Sequence, residues 1–335
     1  MGLERKRNIQ GGAMALLSSV ELCAGAGGQA LGLEKAGFGH EALVEIDRPC
    51  RETLALNRPQ WNVVQGEQAD MARFDGTPYA GIDLLAGGLP CPPFSVAGKQ
   101  LGHADERNLF PDALRLIDQT RPQAVMIENV RGFLDAVFAD YRQKLKRQLS
   151  RMGYQTDWHL FNASDFGVPQ LRPRVVIVAL RKDRADRFTW PTSRGLNPPT
   201  VGETLFDLMS ERGWRGAQAW RAQADEIAPT IVGGSKKHGG PDLGPTRAKR
   251  AWATLGVDGM GIANAAPEAD FVGMPRLTVR MVARLQGFPD DWMFAGRKTP
   301  AYRQVGNAFP PPVAEAVARN IHAALTARSL VQVVA

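Results

Sequence analysis

Apolar positions in the first half of the chain fall into short runs that alternate with stretches of helical period. Ser19 to Cys23 reads as a strand. It is followed by the glycine-rich turn Ala24-Gly25-Ala26-Gly27-Gly28 and by a helix over Gln29 to Ala36 that Gly37 stops. Glu41 to Ile46 is a second strand and Cys50 to Asn57 a second helix. Trp61 to Gln65 and Ile82 to Ala86 are further strands, and Leu109 to Gln119 is a helix. Gln123 to Ile127 is a strand that is wholly apolar after its first residue. Tyr141 to Met152 is helical, and Gln155 to Asn162 and Arg174 to Leu180 close the series as strands. Alternating β and α units of this kind predict an α/β fold: a doubly wound, mostly parallel sheet with helices on both faces.

Beyond about Arg187 the texture changes. Glycine, proline, tryptophan and basic residues rise, and no regular alternation is sustained. The reading divides the chain into a loose extension (1–17), a main domain (18–188), a smaller irregular domain (189–298) and a closing segment (299–327). Helices are expected over Thr278 to Leu285 and over Pro312 to Leu325, the last packing back on the main domain.

Composition narrows the function classes. The 335 residues are 44% hydrophobic and 22% charged, an ordinary globular balance. No apolar run is long enough to span a bilayer, and the start lacks the apolar core of a signal peptide, so neither a membrane partner nor secretion is expected. Three cysteines are too few and too scattered for a disulfide framework or a zinc site, which points to a reducing cytoplasm and no metal. The formal charge of +7 favours a polyanionic partner.

The candidate chemistry lies at strand ends. Ile82 to Ala86 delivers the loop Gly87-Gly88-Leu89-Pro90-Cys91-Pro92-Pro93-Phe94-Ser95, in which three prolines bar the backbone around a thiol from helix or sheet. A stiff loop at the carboxyl end of a buried strand is where open α/β sheets place their chemistry. On the loop alone, Cys91 reads equally as a nucleophile or as a small buried hydrophobe. The glycine turn after the first strand leaves helix N-terminal amides free, and Glu45 ends the second strand about twenty residues on, placed to accept from ribose hydroxyls. Asp70 is a candidate for an adenine amino group, or a plain surface carboxylate. Glu128-Asn129-Val130 ends an apolar strand, where partial burial would raise the carboxyl pKa and let it donate a proton. Alternation in Gln170-Leu171-Arg172-Pro173-Arg174 puts Gln170, Arg172 and Arg174 on one face, which suggests anion binding.

These pieces, in this order, closely resemble the cytosine-C5 DNA methyltransferases, from Val20 to about Ile321. The glycine turn resembles the family's first motif and the Cys91 loop its catalytic loop. Glu128-Asn129-Val130 and Gln170 to Arg174 resemble two further motifs. Arg276-Leu277-Thr278-Val279-Arg280 through Leu285-Gln286-Gly287-Phe288-Pro289 is similar to the ninth, and Gln304-Val305-Gly306-Asn307-Ala308 to the tenth. The resemblance implies an S-adenosylmethionine-dependent, class I methyltransferase sheet with a target recognition domain in the irregular region. It implies a catalytic set of Cys91, Glu128, Arg172 and Arg174. It also implies cofactor contacts from Cys23, Ala24, Gly25, Gly27, Gly28, Glu45, Ile46, Asp70, Met71, Pro90, Leu109, Asn307 and Ala308. Cys23 and Ile46 stand where the family often has aromatic residues, so weaker stacking on adenine is expected.

A methyltransferase of this kind must flip its cytosine out of the duplex, with Cys91 adding to C6 so that C5 becomes nucleophilic. The polar stretch Val96 to Asn108 is expected to close over the flipped base. Ser95, Gln170, Lys236, Lys237, Arg247, Lys249 and Arg250 are the expected contacts to double-stranded DNA. Arginine's preference for guanine edges favours a short G·C-containing site. The expected setting is a bacterial cytoplasm at the nucleoid, as a monomer with S-adenosylmethionine as its cofactor and in functional partnership with a restriction endonuclease. Three other readings stand beside this one: a tRNA cytosine methyltransferase on the same scaffold, a repressor that has lost catalysis, and an NAD-dependent enzyme. The recognition segment disfavours the first, the intact catalytic positions the second and the Cys91 loop the third.

Overall fold

The computed structural model describes residues 16–89, 108–193, 195, 197–234 and 240–327. Six strands form one sheet: β1 (Leu17–Leu22), β2 (Phe38–Val44), β3 (Leu84–Gly88), β4 (Ala124–Val130), β5 (Tyr154–Asn162) and β6 (Pro173–Arg181), in the order β2-β1-β3-β4-β6-β5. The pairings β1–β2, β1–β3 and β3–β4 are parallel, while β6 runs antiparallel to both β4 and β5. The helices are α1 (Gly28–Lys35), α2 (Arg48–Asn57), α3 (Phe110–Thr120), α4 (Ala139–Arg151), the short α5 (Lys182–Ala185), α6 (Val201–Ser210), α7 (Ala217–Gln223), α8 (Thr246–Thr254), α9 (Val279–Leu285), α10 (Lys298–Asn307) and α11 (Pro311–Thr326).

Period-2 alternation on the central strands explains the two-sided burial. Val125, Ile127, Val175, Ile177 and Ala179 pack with α3 and α4 on one face. Ala124, Met126, Val176, Val178 and Leu180 pack with Val313, Val317 and Ile321 of α11 on the other. A strand buried on both faces reads as a continuous apolar run, and that is what β4 and β6 show. A third apolar cluster joins Leu43, Leu54 and Trp61 to α6, α7, α9 and α10. The core is thus continuous from the second strand into the region after residue 189.

Two expectations are corrected. Trp61 to Gln65 is not a strand: it touches β2 through one bridge, Leu43 to Val63, because Trp61 turns inward against His40 and Trp292. The region after Arg187 is also less irregular than expected, since it holds α6, α7 and α8. Thr200 and Glu203 form a reciprocal capping box that starts α6. That S/T-x-x-E signal is present in the sequence, but the glycines and prolines around these short helices mask it. No helix among the described residues is long and apolar enough to cross a membrane.

Candidate active site

The carboxyl ends of β1, β2, β3 and β4 share one rim. Glu128 pairs in register with Gly88 across β3 and β4, and a Cβ on Gly88 would lie 3.7 Å from Glu128 Oε2 and 3.9 Å from the Cys23 carbonyl. The last residue of β3 therefore abuts both the carboxylate and the glycine turn. Cys91, Pro90 and Ser95 lie outside the described residues, as does the expected closing stretch up to residue 107. Cys91 follows Gly88 by three residues, and three residues of chain reach at most about 11 Å.

Glu128 and Arg174 come together. Arg174 Nε lies 2.7 Å from Glu128 Oε1, with both side chains nearly buried. The Nε–H does not point squarely at the oxygen, so the contact is an ion pair more than a hydrogen bond. Burial pushes the Glu128 carboxyl above its ordinary pKa, against the opposing pull of Arg174 and Arg172. Burial and the neighbouring cations thus pull this carboxyl in opposite directions, and burial is the larger.

Arg172 and Gln170 have a different fate. Both are fully buried. Arg172 donates to the carbonyls of Ile231 (2.7 Å), Gly306 (2.8 Å) and Ala308 (3.0 Å). Gln170 donates to Gln286 Oε1 and the Leu285 carbonyl and accepts from the Ile231 amide. The shared face of Gln170 and Arg172 is covered by the chain around Ile231 and by the end of α10. Two expectations are therefore corrected: Gln170 cannot reach DNA in this arrangement, and Arg172 cannot touch the base. Alternation fixes the face a side chain takes, not what lies over it. Gln286 is a residue the sequence reading left without a role. The signal was a polar side chain at the end of the apolar helix α9, just before Gly287.

At the glycine turn the glycines divide by purpose. A Cβ on Gly25 would meet no atom within 4 Å, whereas one on Gly27 would strike Leu54 and Trp292, and one on Gly28 the Phe309 carbonyl. Gly27 and Gly28 let α1 pack, and Gly25, at φ 55°, borders open space. Glu45, the first residue beyond β2, accepts from the Gly25 amide (2.8 Å) and the Asp47 amide (2.7 Å). A carboxylate has about four acceptor positions, so two remain for a ligand hydroxyl. Burial raises the Glu45 pKa, and those two amides lower it. Ile46 is 68% exposed beside this turn, a bare apolar surface of the kind an adenine ring covers.

Cys23 approaches Met71, with Sγ 3.8 Å from Sδ. Burial and the nearby Glu45 push the Cys23 thiol far up, which disfavours its thiolate form. Asp70 caps the Ala72 amide, and Leu109 precedes α3. Asn307 is exposed and donates to the Gly234 carbonyl, while the Ala308 methyl borders Gly28. Turn, acid and apolar surface thus form a cradle that suits a nucleoside carrying a cationic sulfonium. Among the described residues no group of three or more His, Cys, Asp or Glu could hold a metal ion.

The basic residues of the second half do not act alike. Lys236 and Lys237 lie outside the described residues. Arg247 and Arg250 are exposed on α8, whereas Lys249 is ion-paired to Asp242 at 3.0 Å. Asp242 also accepts from the Gly244 amide. Lys249 therefore ties α8 to the preceding loop and carries less free charge than the sequence suggests.

Comparison with known proteins closes the picture. A family model described as C-5 cytosine-specific DNA methylase matches residues 17–323. The type II methyltransferase M.NaeI of Lentzea aerocolonigenes is 59% identical over 315 residues, covering 93% of this chain and 76% of that protein. M.NgoMIV of Neisseria gonorrhoeae is 56% identical over 311 residues, covering 92% and 98%. The solved structure of the S. pombe Dnmt2 methyltransferase superposes with a TM-score of 0.60 at 19% identity, covering 90% of this chain and 97% of that one, a likeness of fold.

Proposed function

This chain belongs to the C-5 cytosine-specific DNA methylase family and is a DNA (cytosine-5-)-methyltransferase, and on that premise we propose how its residues carry out the reaction. The substrate is a cytosine flipped out of a short double-stranded site, and the methyl donor is S-adenosylmethionine. The observation that carries the reading is the Glu128–Arg174 pair at the end of β4, in register with the strand that leads to Cys91.

When bound, S-adenosylmethionine supplies an electrophilic methyl group on its sulfonium. The chain's own residues do the rest. Gly25, Glu45 and Ile46 hold the nucleoside end, Glu45 through its free acceptor positions and Ile46 by apolar cover. Asp70 and Asn307 are further candidates to contact the same ligand. Cys91 adds to C6 as a thiolate: the S–C6 bond forms, and the ring's electron pair moves to C5, with charge shared toward N3. Glu128, whose pKa burial raises, is the carboxyl that donates a proton or hydrogen bond to N3, and Arg174 holds the base carbonyl and keeps the carboxyl in place. After C5 is methylated, its proton leaves to solvent and the ring electrons expel Cys91 as a thiolate, while the N3 proton returns to Glu128, which restores the neutral aromatic base.

DNA is held by the region of residues 189–298, with Arg247 and Arg250 of α8 and the lysines Lys236 and Lys237 facing phosphates or base edges, at a G·C-containing site. The chain acts as a monomer in a bacterial cytoplasm, and a restriction endonuclease of the same specificity is its functional counterpart. Bisulfite sequencing of a plasmid from cells expressing the protein tests this reading. Protected cytosines at one short recurring site are expected; uniform conversion would overturn it.

A further inference from the structure

A buried polar network links three parts of the molecule that the reaction must bring together. Arg172 donates from one nitrogen to the Ile231 carbonyl and from the other to the carbonyls of Gly306 and Ala308. Gln286 donates to the same Ala308 carbonyl (2.6 Å) and accepts from Gln170 (2.6 Å). Gln170 in turn accepts from the Ile231 amide (2.9 Å). Leu171 and Ala228 are joined along the backbone, and Thr230 donates to the Leu171 carbonyl. One end of this network is the 228–232 segment, which bridges Gln170 through Ala228 and precedes the basic stretch of the sequence. The other is the 306–309 segment, whose Phe309 carbonyl lies against Gly28 of the glycine turn. Arg172 also bears on the Glu128 carboxyl.

We propose that Gln286 and Arg172 are positioning residues that couple the two clefts, so that DNA held beyond Ile231 and cofactor held beside Ala308 each improve the other's fit. The physical reason is the scarcity of acceptable arrangements. Several buried donors and acceptors on four segments satisfy one another here, and a shift of any one segment would strand buried polar groups without partners. The segments at both ends are therefore held to a joint register, and a ligand that fixes one end biases the other. Gln286 sits where the chains from the two clefts meet, and it touches neither ligand.

The proposal rests on the methyltransferase reading, and its test separates the two. Calorimetry measures the affinity for S-adenosylhomocysteine of the free protein and of its complex with a short duplex carrying the methylated site. For the wild type, the duplex is expected to raise that affinity by about fivefold or more. Gln286→Met, nearly isosteric but without donor or acceptor, should bring the ratio close to one whatever happens to either affinity alone. If that variant does not fold, as judged by circular dichroism, Gln286→Asn is read the same way. A ratio of one in the wild type, or an unchanged ratio in the variant, overturns the coupling. Failure of the wild type to bind either ligand would instead overturn the proposed function.

Discussion

Arg172 and Arg174 stand two residues apart at the entrance to one strand, yet they belong to two different regions. Arg174 faces the rim, where among the described residues it is ion-paired to the Glu128 carboxylate. Arg172 is sunk in the joint between the sheet and the second half of the chain, where it is held by backbone carbonyls. At the rim a nearly buried carboxyl stands between desolvation, which raises its pKa, and a cation, which lowers it. In the joint the terminal nitrogens of Arg172 and the side-chain amides of Gln170 and Gln286 are all bonded to neighbouring segments, so a shift there is costly. The same side chain thus lies beside a buried carboxyl in one region and is held by backbone carbonyls in the other, and the difference lies in what covers it.

Substitutions can break this comparison. The largest effect is expected from Cys91→Ser, which should lower methyl transfer by about a thousandfold or more while DNA binding persists. Turnover and gel-shift affinity measured on the same preparation check this. Next is Arg172→Ala, which leaves the carbonyls of Ile231 and Gly306 without their donor. It should cost on the order of 4 kcal/mol of stability in urea unfolding. Arg174→Ala should cost less stability and more rate. Equal stability losses in the two variants would erase the distinction drawn between joint and rim.

Glu128→Gln should slow single-turnover methyl transfer by roughly a hundredfold. It also carries a pH signature. Burial raises the Glu128 pKa in the folded state, so the folded protein binds this proton more tightly than the unfolded chain does. The charged form then costs stability above the folded pKa, and that cost disappears as pH falls toward the unfolded value. The rate should follow the protonated form and fall as pH rises through the raised pKa; the Gln variant should lose that limb. Glu45→Ala should weaken S-adenosylmethionine binding by about tenfold or more with a smaller change in the chemical rate, as calorimetry and single turnovers would show.

The smallest expected effect separates the cations of α8. Removing a phosphate contact should flatten the salt dependence of DNA binding by about 0.9 in slope. Arg247→Ala or Arg250→Ala should show that change or altered site choice. Lys249→Ala should show less, because Asp242 already neutralises it. Binding measured at several salt concentrations decides it, and a Lys249 effect as large as the arginines' would contradict the assignment.

Much of the sheet was legible in the sequence, because β3, β4 and β6 are buried on both faces and leave uninterrupted apolar runs. Their edges were not: β2 begins at Phe38 instead of Glu41, where Gly39 and His40 blur the pattern. The rim was legible for the same reason as the sheet, since Glu45 and Glu128 are the first carboxylates met after apolar strands. The joint was not. Nothing local to Gln170 or Arg172 announces that residues 59 and 134 positions further along the chain supply Arg172's acceptors. The helices α6 and α7 were hidden by length, since seven to ten residues flanked by glycine and proline give little period to read.

The central claim is that Cys91 attacks C6 of a cytosine held at the Glu128–Arg174 rim. A duplex with 5-fluorocytosine at the methylated position tests it most directly, because fluorine cannot leave as a proton and the S–C6 bond cannot then be released. Incubated with S-adenosylmethionine and digested, the protein should yield a nucleotide adduct on the peptide that contains Cys91, seen by mass spectrometry. A mapped adduct on any other residue, or none under conditions that turn over the normal duplex, would contradict the account.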